Sequence, residues 1–269
     1  MSANQAERAC RAWPILTATA VAQTSITYGA LAQQLGVHHR AIRFVLGVIQ
    51  DYCLTERLPP LTIVVVNQAN GRPGEGFIAW DADDLDTGLA QVYGFGWQAI
   101  TNPFGYAAGG ETIDDLVDQL EKRPSTAGDV FARVRVRGVA QVVFRNLLLR
   151  LYGKQCAFCR LTFEVALQAS HIIPWPQASA QQRLDPTNGI LLCSVHHRLF
   201  DDGLMTISPT GRICYYDPKG KDGPYTAADR QMTISLHGQQ AQLPATKRHQ
   251  PGVDSLKHHH KEHGWGKLS

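Results

Sequence analysis

CAFC at 156–159, ASHIIPW at 169–175 and TNGILLCSVHHRLFDD at 187–202 are the segments from which the rest of the chain is read. Between Cys156 and Asp202 they bring together three cysteines, three histidines and a single asparagine set between strand-like runs. Chemistry separates these residues into two sets. Cys156-x2-Cys159 and Cys193-x2-His196 are two short knuckles, each offering two of the thiolate and imidazole ligands that tetrahedral Zn²⁺ prefers. That set is structural, with Cys214 in reserve for the fourth position should His196 turn away. His171, Asn188 and His197 remain. His197 directly follows His196, so its ring leaves a helix about 100° round from the ligand and is available for catalysis.

His171, Asn188 and His197, with strand-like sequence between them and a helix after, form a series that resembles the HNH (ββα-metal) endonuclease motif. The likeness extends upstream through Gln141, Phe144, Arg145, Leu148, Leu149 and Tyr152, and closes with Leu199, Phe200, Asp201 and Gly203. It runs from Arg137 to Ile207. The resemblance implies that His171 is the general base that takes a proton from water, a task that suits imidazole because it titrates near neutrality. It further implies that Asn188 braces the loop between two strands, so that a neighbouring carbonyl fixes the His171 tautomer. His197 would bind one divalent ion, Mg²⁺, Mn²⁺ or Ni²⁺, at the scissile phosphate. The reaction implied is phosphodiester hydrolysis leaving a 5′ phosphate. Many members place Asp or His just before the base, and here that position is Ser170. Asp201, four residues after His197, lies on the same helical face and is a candidate for the missing carboxylate. It reads equally as a cap in the Asp201-Asp202-Gly203 bend.

The chain of 269 residues, with 44% hydrophobic and 8% aromatic residues, suggests two globular domains rather than disorder. No apolar run approaches the ~20 residues of a membrane helix, and no basic-then-apolar leader opens the chain, so the expectation is a cytoplasmic protein without a membrane span. Cys10, Cys53 and Cys214 stand alone, as buried thiols do. The net charge is only +3, yet it is unevenly spread. Arg133, Arg135, Arg137, Arg145, Arg150, Lys154 and Arg160 fall in a stretch without acidic residues, whereas Asp81 to Glu121 has no basic one. A basic block leading into the H–N–H core is where a phosphate backbone would lie. Double-stranded DNA is therefore the expected partner, and the sequence leaves a homodimer open.

From the N-terminus, Ala9, Ala12, Leu16 and Ala20 form a helical stripe containing Pro14. Thr27 caps and Gly36 stops a short helix. A second helix, His38 to Cys53, turns Ile42, Val45, Leu46 and Ile49 inward and leaves His38, His39, Arg40 and Arg43 exposed. This is a helix-turn-helix pattern whose second helix contacts DNA. A strand over Leu61–Val66 and a turn containing Arg72 follow. Tyr28 to Phe77 resembles the winged helix-turn-helix of the alkyltransferase-like proteins, although Val65-Val66-Asn67 stands where an alkyltransferase carries its Pro-Cys-His nucleophile. Aromatics between Phe77 and Tyr106 read as packing or as a pocket wall. A helix over Ile113–Glu121, an amphipathic helix over Val136–Tyr152, a hairpin at Met205–Ile207 and Arg212–Tyr216, and a strand at Thr233–Leu236 complete the pattern. The expected fold is α+β. Residues 1–108 form a winged-helix-like DNA-recognition domain, 109–130 a linker, 131–246 the zinc-stapled ββα-metal domain, and 247–269 a basic His-rich tail, either loosely docked or disordered. A separate reader joined to an HNH domain resembles restriction endonucleases of the modification-dependent McrA type. The rival expectation is a non-catalytic zinc-containing DNA-binding regulator, and a homing or phage-type HNH nuclease is the same chemistry in another setting.

Overall fold

A computed structural model describes residues 4–134, 137–217 and 223–266; Arg135, one of the candidate DNA contacts, lies outside them. The chain forms two compact units, Met1–Thr112 with Arg133–Val139, and Ile113–Ala132 with Ala140–Ser269. The helices Ile113–Lys122 and Ala127–Val134 thus occupy most of the stretch expected as a linker.

The first unit is largely helical. α1 (Gln5–Val21) buries Ala9, Ala12, Leu16 and Ala20 together with Trp13. Pro14 does not end this helix. The carbonyl of Cys10, which the proline cannot bond, accepts a hydrogen bond from Asn102 Nδ2 at 2.8 Å. β1 (Ile26–Thr27) leads into α2 (Tyr28–Leu35), capped by Thr27 Oγ1, which accepts from Ala30 N at 3.1 Å, and closed by Gly36 in the left-handed region. α3 (Ile42–Thr55) buries Ile42, Val45, Leu46 and Ile49, and starts later than expected because His39–Ala41 form a 3-10 turn. The strand expected over Leu61–Val66 is shorter. Leu61–Val64 is a 3-10 turn, and only β2 (Val65–Val66) is extended, pairing parallel to β1. The cause is Pro60, whose carbonyl accepts from Ile63 N at 2.8 Å and tightens the start of the segment. Among the described residues of the first unit no antiparallel hairpin follows α3. α4 (Leu85–Gly94) completes the unit. Most of the aromatics pack: Trp97 and Phe104 meet Trp13 edge-on at 5.9 and 6.0 Å.

In the second unit, α5 (Ile113–Lys122) and the greater parts of α6 (Ala127–Val134) and α7 (Arg137–Leu151) precede the antiparallel pair β3 (Leu167–His171) and β4 (Gly189–Cys193). The register sets Leu167 against Cys193 and His171 against Gly189. α7 passes directly beneath this pair. A Cβ on Gly189 would lie 2.6 Å from Phe144 Cζ and 2.7 Å from Leu148 Cδ1, so the close approach requires glycine there. α8 (Ser194–Asp201) follows β4 without a loop, and β5 (Met205–Ile207) pairs with β6 (Ile213–Tyr215). The strand expected at Thr233–Leu236 is absent. A capping box between Thr226 and Asp229 starts α9 (Ala227–Met232), after which Ile234–Leu236 are a 3-10 turn.

The His-rich tail is docked rather than disordered. α10 (Val253–Glu262) buries His259 and His260. His259 stacks on Phe200 at 4.0 Å, its Nε2–H donates to the Phe200 carbonyl at 3.0 Å, and Thr206 Oγ1 bonds its Nδ1 at 3.2 Å. His260 Nε2 lies 3.0 Å from the Ile207 carbonyl. Burial pushes His259 down to about 4, with His263 and His260 adding to the effect against the opposing Phe200 bond and Glu262. A histidine whose folded pKa lies below its unfolded value of about 6.5 costs nothing above that pH and removes stability as pH falls from about 6.5 towards 4. Thermal unfolding followed between pH 7 and pH 4 should therefore show a loss of about 3 kcal/mol from this ring. His259→Gln should flatten the slope.

Candidate active site and metal centre

Cys156, Cys159, Cys193 and His196 bring their ligand atoms within 4.8 Å of one another. The edges of the cluster suit a tetrahedral ion. Cys159 and Cys193 Sγ are 3.8 Å apart, and His196 Nδ1 lies 3.2 Å from Cys193 Sγ and 3.4 Å from Cys156 Sγ. Zn–S and Zn–N bonds of ordinary length at tetrahedral angles give edges of about 3.8 and 3.6 Å. His196 Nε2 donates to the Met232 carbonyl at 2.8 Å, which turns Nδ1 towards the sulfurs. Ala157 N donates to the Leu191 carbonyl at 2.8 Å, tying the first knuckle to β4. Cys214 takes no part in the cluster.

The crowding shows in the proton equilibria. Hydrogen bonds to Cys159 and Cys193, with burial, push Cys156 above the usual thiol range, while hydrogen bonds to Cys156 and Cys159 pull Cys193 below it. Burial alone would lower His196, but its bonds to Cys159 and Cys193 outweigh burial and hold it at about 10. Three thiols this close cannot titrate independently, and a divalent cation satisfies them together as thiolates. The donor set therefore fits zinc.

His171 ends β3 at the opposite end of the strand pair from Cys193, with its ring stacked on Phe144 at 4.0 Å. Its Nε2 lies 3.0 Å from the Arg183 carbonyl. A carbonyl only accepts, so Nε2 carries the proton and the neutral ring keeps its lone pair on Nδ1. Asn188, 1% exposed, holds the loop that supplies this carbonyl. Its Oδ1 accepts from Ile173 N at 2.8 Å, and its Nδ2 donates to the carbonyls of Ile173 and Gln182 at 3.2 and 3.1 Å. Gln182 immediately precedes Arg183, so the asparagine acts on His171 through one peptide unit.

His197 leaves α8 one residue after the cluster ligand, and its Nε2 is 3.6 Å from Asp201 Oδ2. The other carboxylate oxygen accepts from Ser170 Oγ at 3.4 Å. Asp201 therefore stands between α8 and the strand position just before His171. The helix supplies a carboxylate that the strand lacks.

The expected DNA contacts divide. His39, Arg40 and Arg43 line a cavity of about 310 Å³ in the first unit, together with Tyr28, Gln50, Thr62, Asn67 and Phe77. His38 is occupied locally, its Nδ1 accepting from Arg40 N at 3.3 Å. Arg72 folds onto its own loop, with Nη2 donating to the Ala82 carbonyl at 2.5 Å. Arg133 pairs with Glu111 at 2.5 Å, and Arg145 donates to the carbonyls of Glu164 and Leu167 at 2.9 and 3.4 Å. In the same basic block, Arg150 meets Asp118 and Glu121, and Lys154 meets Glu164. Sequence reasoning missed Arg183 and Trp175, which sit against His171. The signal was an arginine in the 172–188 loop, outside the charge block on which attention fell.

Two outcomes are expected. Cys156→Ser should abolish zinc binding and unfold the second unit, read by metal content and circular dichroism. Asn188→Ala strands three buried backbone groups, and urea titration should show a loss of roughly 2–4 kcal/mol with zinc retained.

Residues 156–208 match a family model, HNH_2, described as HNH endonuclease. Among curated proteins none matches the chain. The matched segment contains both knuckles, both strands and α8 with its two histidines, and an HNH domain implies nuclease chemistry and DNA binding for this part of the chain.

Proposed function

We propose that the protein is a metal-dependent DNA endonuclease of the restriction type, whose C-terminal unit cuts DNA carrying a modification read by its N-terminal unit. The observation that carries the cutting role is the chain of bonds from Asn188 through Gln182 and Arg183 to His171 Nε2. It holds one tautomer of an imidazole one strand position after Ser170, whose hydroxyl bonds the Asp201 carboxylate that meets His197, an arrangement a purely structural zinc fold does not need. His171 takes a proton from water through Nδ1 as the water oxygen attacks phosphorus and the bond to the 3′ oxygen breaks, leaving a 5′ phosphate. His197 and Asp201, steadied by Ser170, are the residues that would hold the divalent ion. When bound, that ion supplies the positive charge that offsets the charge developing on the phosphate and the departing oxygen.

The reading role rests on the cavity in the first unit. The α3 segment offers His39, Arg40 and Arg43 around it, and no acidic residue lines it. Thr62 Oγ1 is buried without a hydrogen-bond partner. A hydroxyl in that state costs about 1–3 kcal/mol, which a ligand's polar group relieves. Tyr28 and Phe77 supply aromatic surface, Gln50 and Asn67 supply amides, and the arginines supply charge for flanking phosphates. The cavity thus combines the chemistry needed to take a modified base or a modified backbone link.

Digestion of modified and unmodified plasmids with Mg²⁺, Mn²⁺ or Ni²⁺ tests both roles. The wild type should cut the modified plasmid preferentially. His171→Ala should lower the rate on the order of 10²–10⁴-fold while keeping its zinc, and Thr62→Val should reduce the preference between the plasmids. Undiminished cleavage by His171→Ala would remove the catalytic assignment, and equal cutting of both plasmids would remove the reader.

A further inference from the structure

We propose that Arg183 is a phosphate-binding residue of the nuclease site, gripping the DNA backbone at the cut; this rests on the nuclease reading above. The arginine is tied to the candidate base twice. Its carbonyl bonds His171 Nε2 at 3.0 Å. Its guanidinium carbon lies 5.2 Å from the centre of the Phe131 ring and 5.1 Å from that of Trp175, and Trp175 meets the His171 ring edge-on at 5.5 Å. Those two contacts, end to end, keep the charge within about 11 Å of the His171 ring.

What sets this arginine apart is the absence of an acceptor. Among the described residues no carboxylate pairs with Arg183, and its buried Nε has no hydrogen-bond partner. Two other arginines of the same unit are spent. Arg145 is bonded to two carbonyls, and Arg150 is paired with three carboxylates. An arginine serving only as a strut would be expected to end the same way, since a buried unpaired donor costs about 1–3 kcal/mol. Here two aromatic faces hold the cation by about 0.5–2 kcal/mol without consuming its N–H groups. The result is a planar fork of Nη donors, unpaired among the described residues and within about 11 Å of the ring that would activate water. A phosphodiester presents two acceptor oxygens that match that fork, and arginine binds such a pair bidentately.

The test uses salt dependence, which counts phosphate contacts. Binding of a short DNA duplex is measured over a range of salt in the non-cleaving His171→Ala background, with Arg183 intact or changed to Met or Gln. Each lost phosphate contact should lower the slope of log K against log [salt] by about 0.9. Both variants should show that drop with zinc content and thermal midpoint near the parent's. In the cleaving protein they should lose on the order of 10²-fold in kcat/KM, while Arg183→Lys keeps the slope and recovers only part of the rate. An unchanged slope overturns the proposal, and so does loss of folding in both variants, which would make Arg183 a structural clamp. Failure of the nuclease reading appears separately, as undiminished cleavage by His171→Ala with Arg183 intact.

Discussion

The knot of three thiols and one imidazole is the constraint on which the C-terminal unit depends. Between Cys156 and Asp201 there are two five-residue strands and one eight-residue helix, too little apolar surface to offset the entropy of ordering the long 172–188 loop. Cross-linking the first knuckle to the β4–α8 junction removes much of that cost. The same junction places the next histidine. His196 is held at the cluster, and His197, one residue on, meets Asp201, whose carboxylate is bonded by Ser170 at the strand position before His171. Stability and site placement are thus set by two consecutive residues.

The knuckles, the β3–β4 pair and α7 were legible in the sequence because each depends on local spacing: paired ligands with two residues between them, strand-like runs, and apolar residues at helical steps. The cap at Thr27 and the stop at Gly36 were legible for the same reason. Other elements depend on partners far along the chain. Nothing near Pro14 shows that Asn102 will satisfy the carbonyl it frees. Nothing near Thr233 shows that the backbone at 238–240 will flank β6. The tail was left open between two alternatives because its histidines bury against Phe200, Thr206 and Ile207 and have no hydrophobic period of their own.

Charge was the least transferable signal. A run of basic residues without acids reads as a nucleic-acid footprint, yet the acidic residues Asp118 and Glu121 of α5 return to Arg150, and Glu111 and Glu164 engage Arg133 and Lys154. Sequence separation between opposite charges says little about their separation in space. Exposed pairs of this kind contribute about 0–1 kcal/mol each, so their main effect is to neutralise. The cations left for a ligand are those whose surroundings are aromatic or open, such as Arg183 against Trp175 and the α3 arginines around the cavity.

The exchange of a carboxylate between elements follows the same logic of space over sequence. Ser170 pairs with Ile190 in the β3–β4 register and is 1% exposed, so a carboxylate there would be buried against the hairpin. Asp201 reaches the same place from solvent-accessible α8, with its side chain 47% exposed, one oxygen towards Ser170 and the other towards His197. A half-exposed carboxylate keeps its contact with solvent while the serine hydroxyl orients it. The short side chain at 170 is then what makes room for the helix-borne acid.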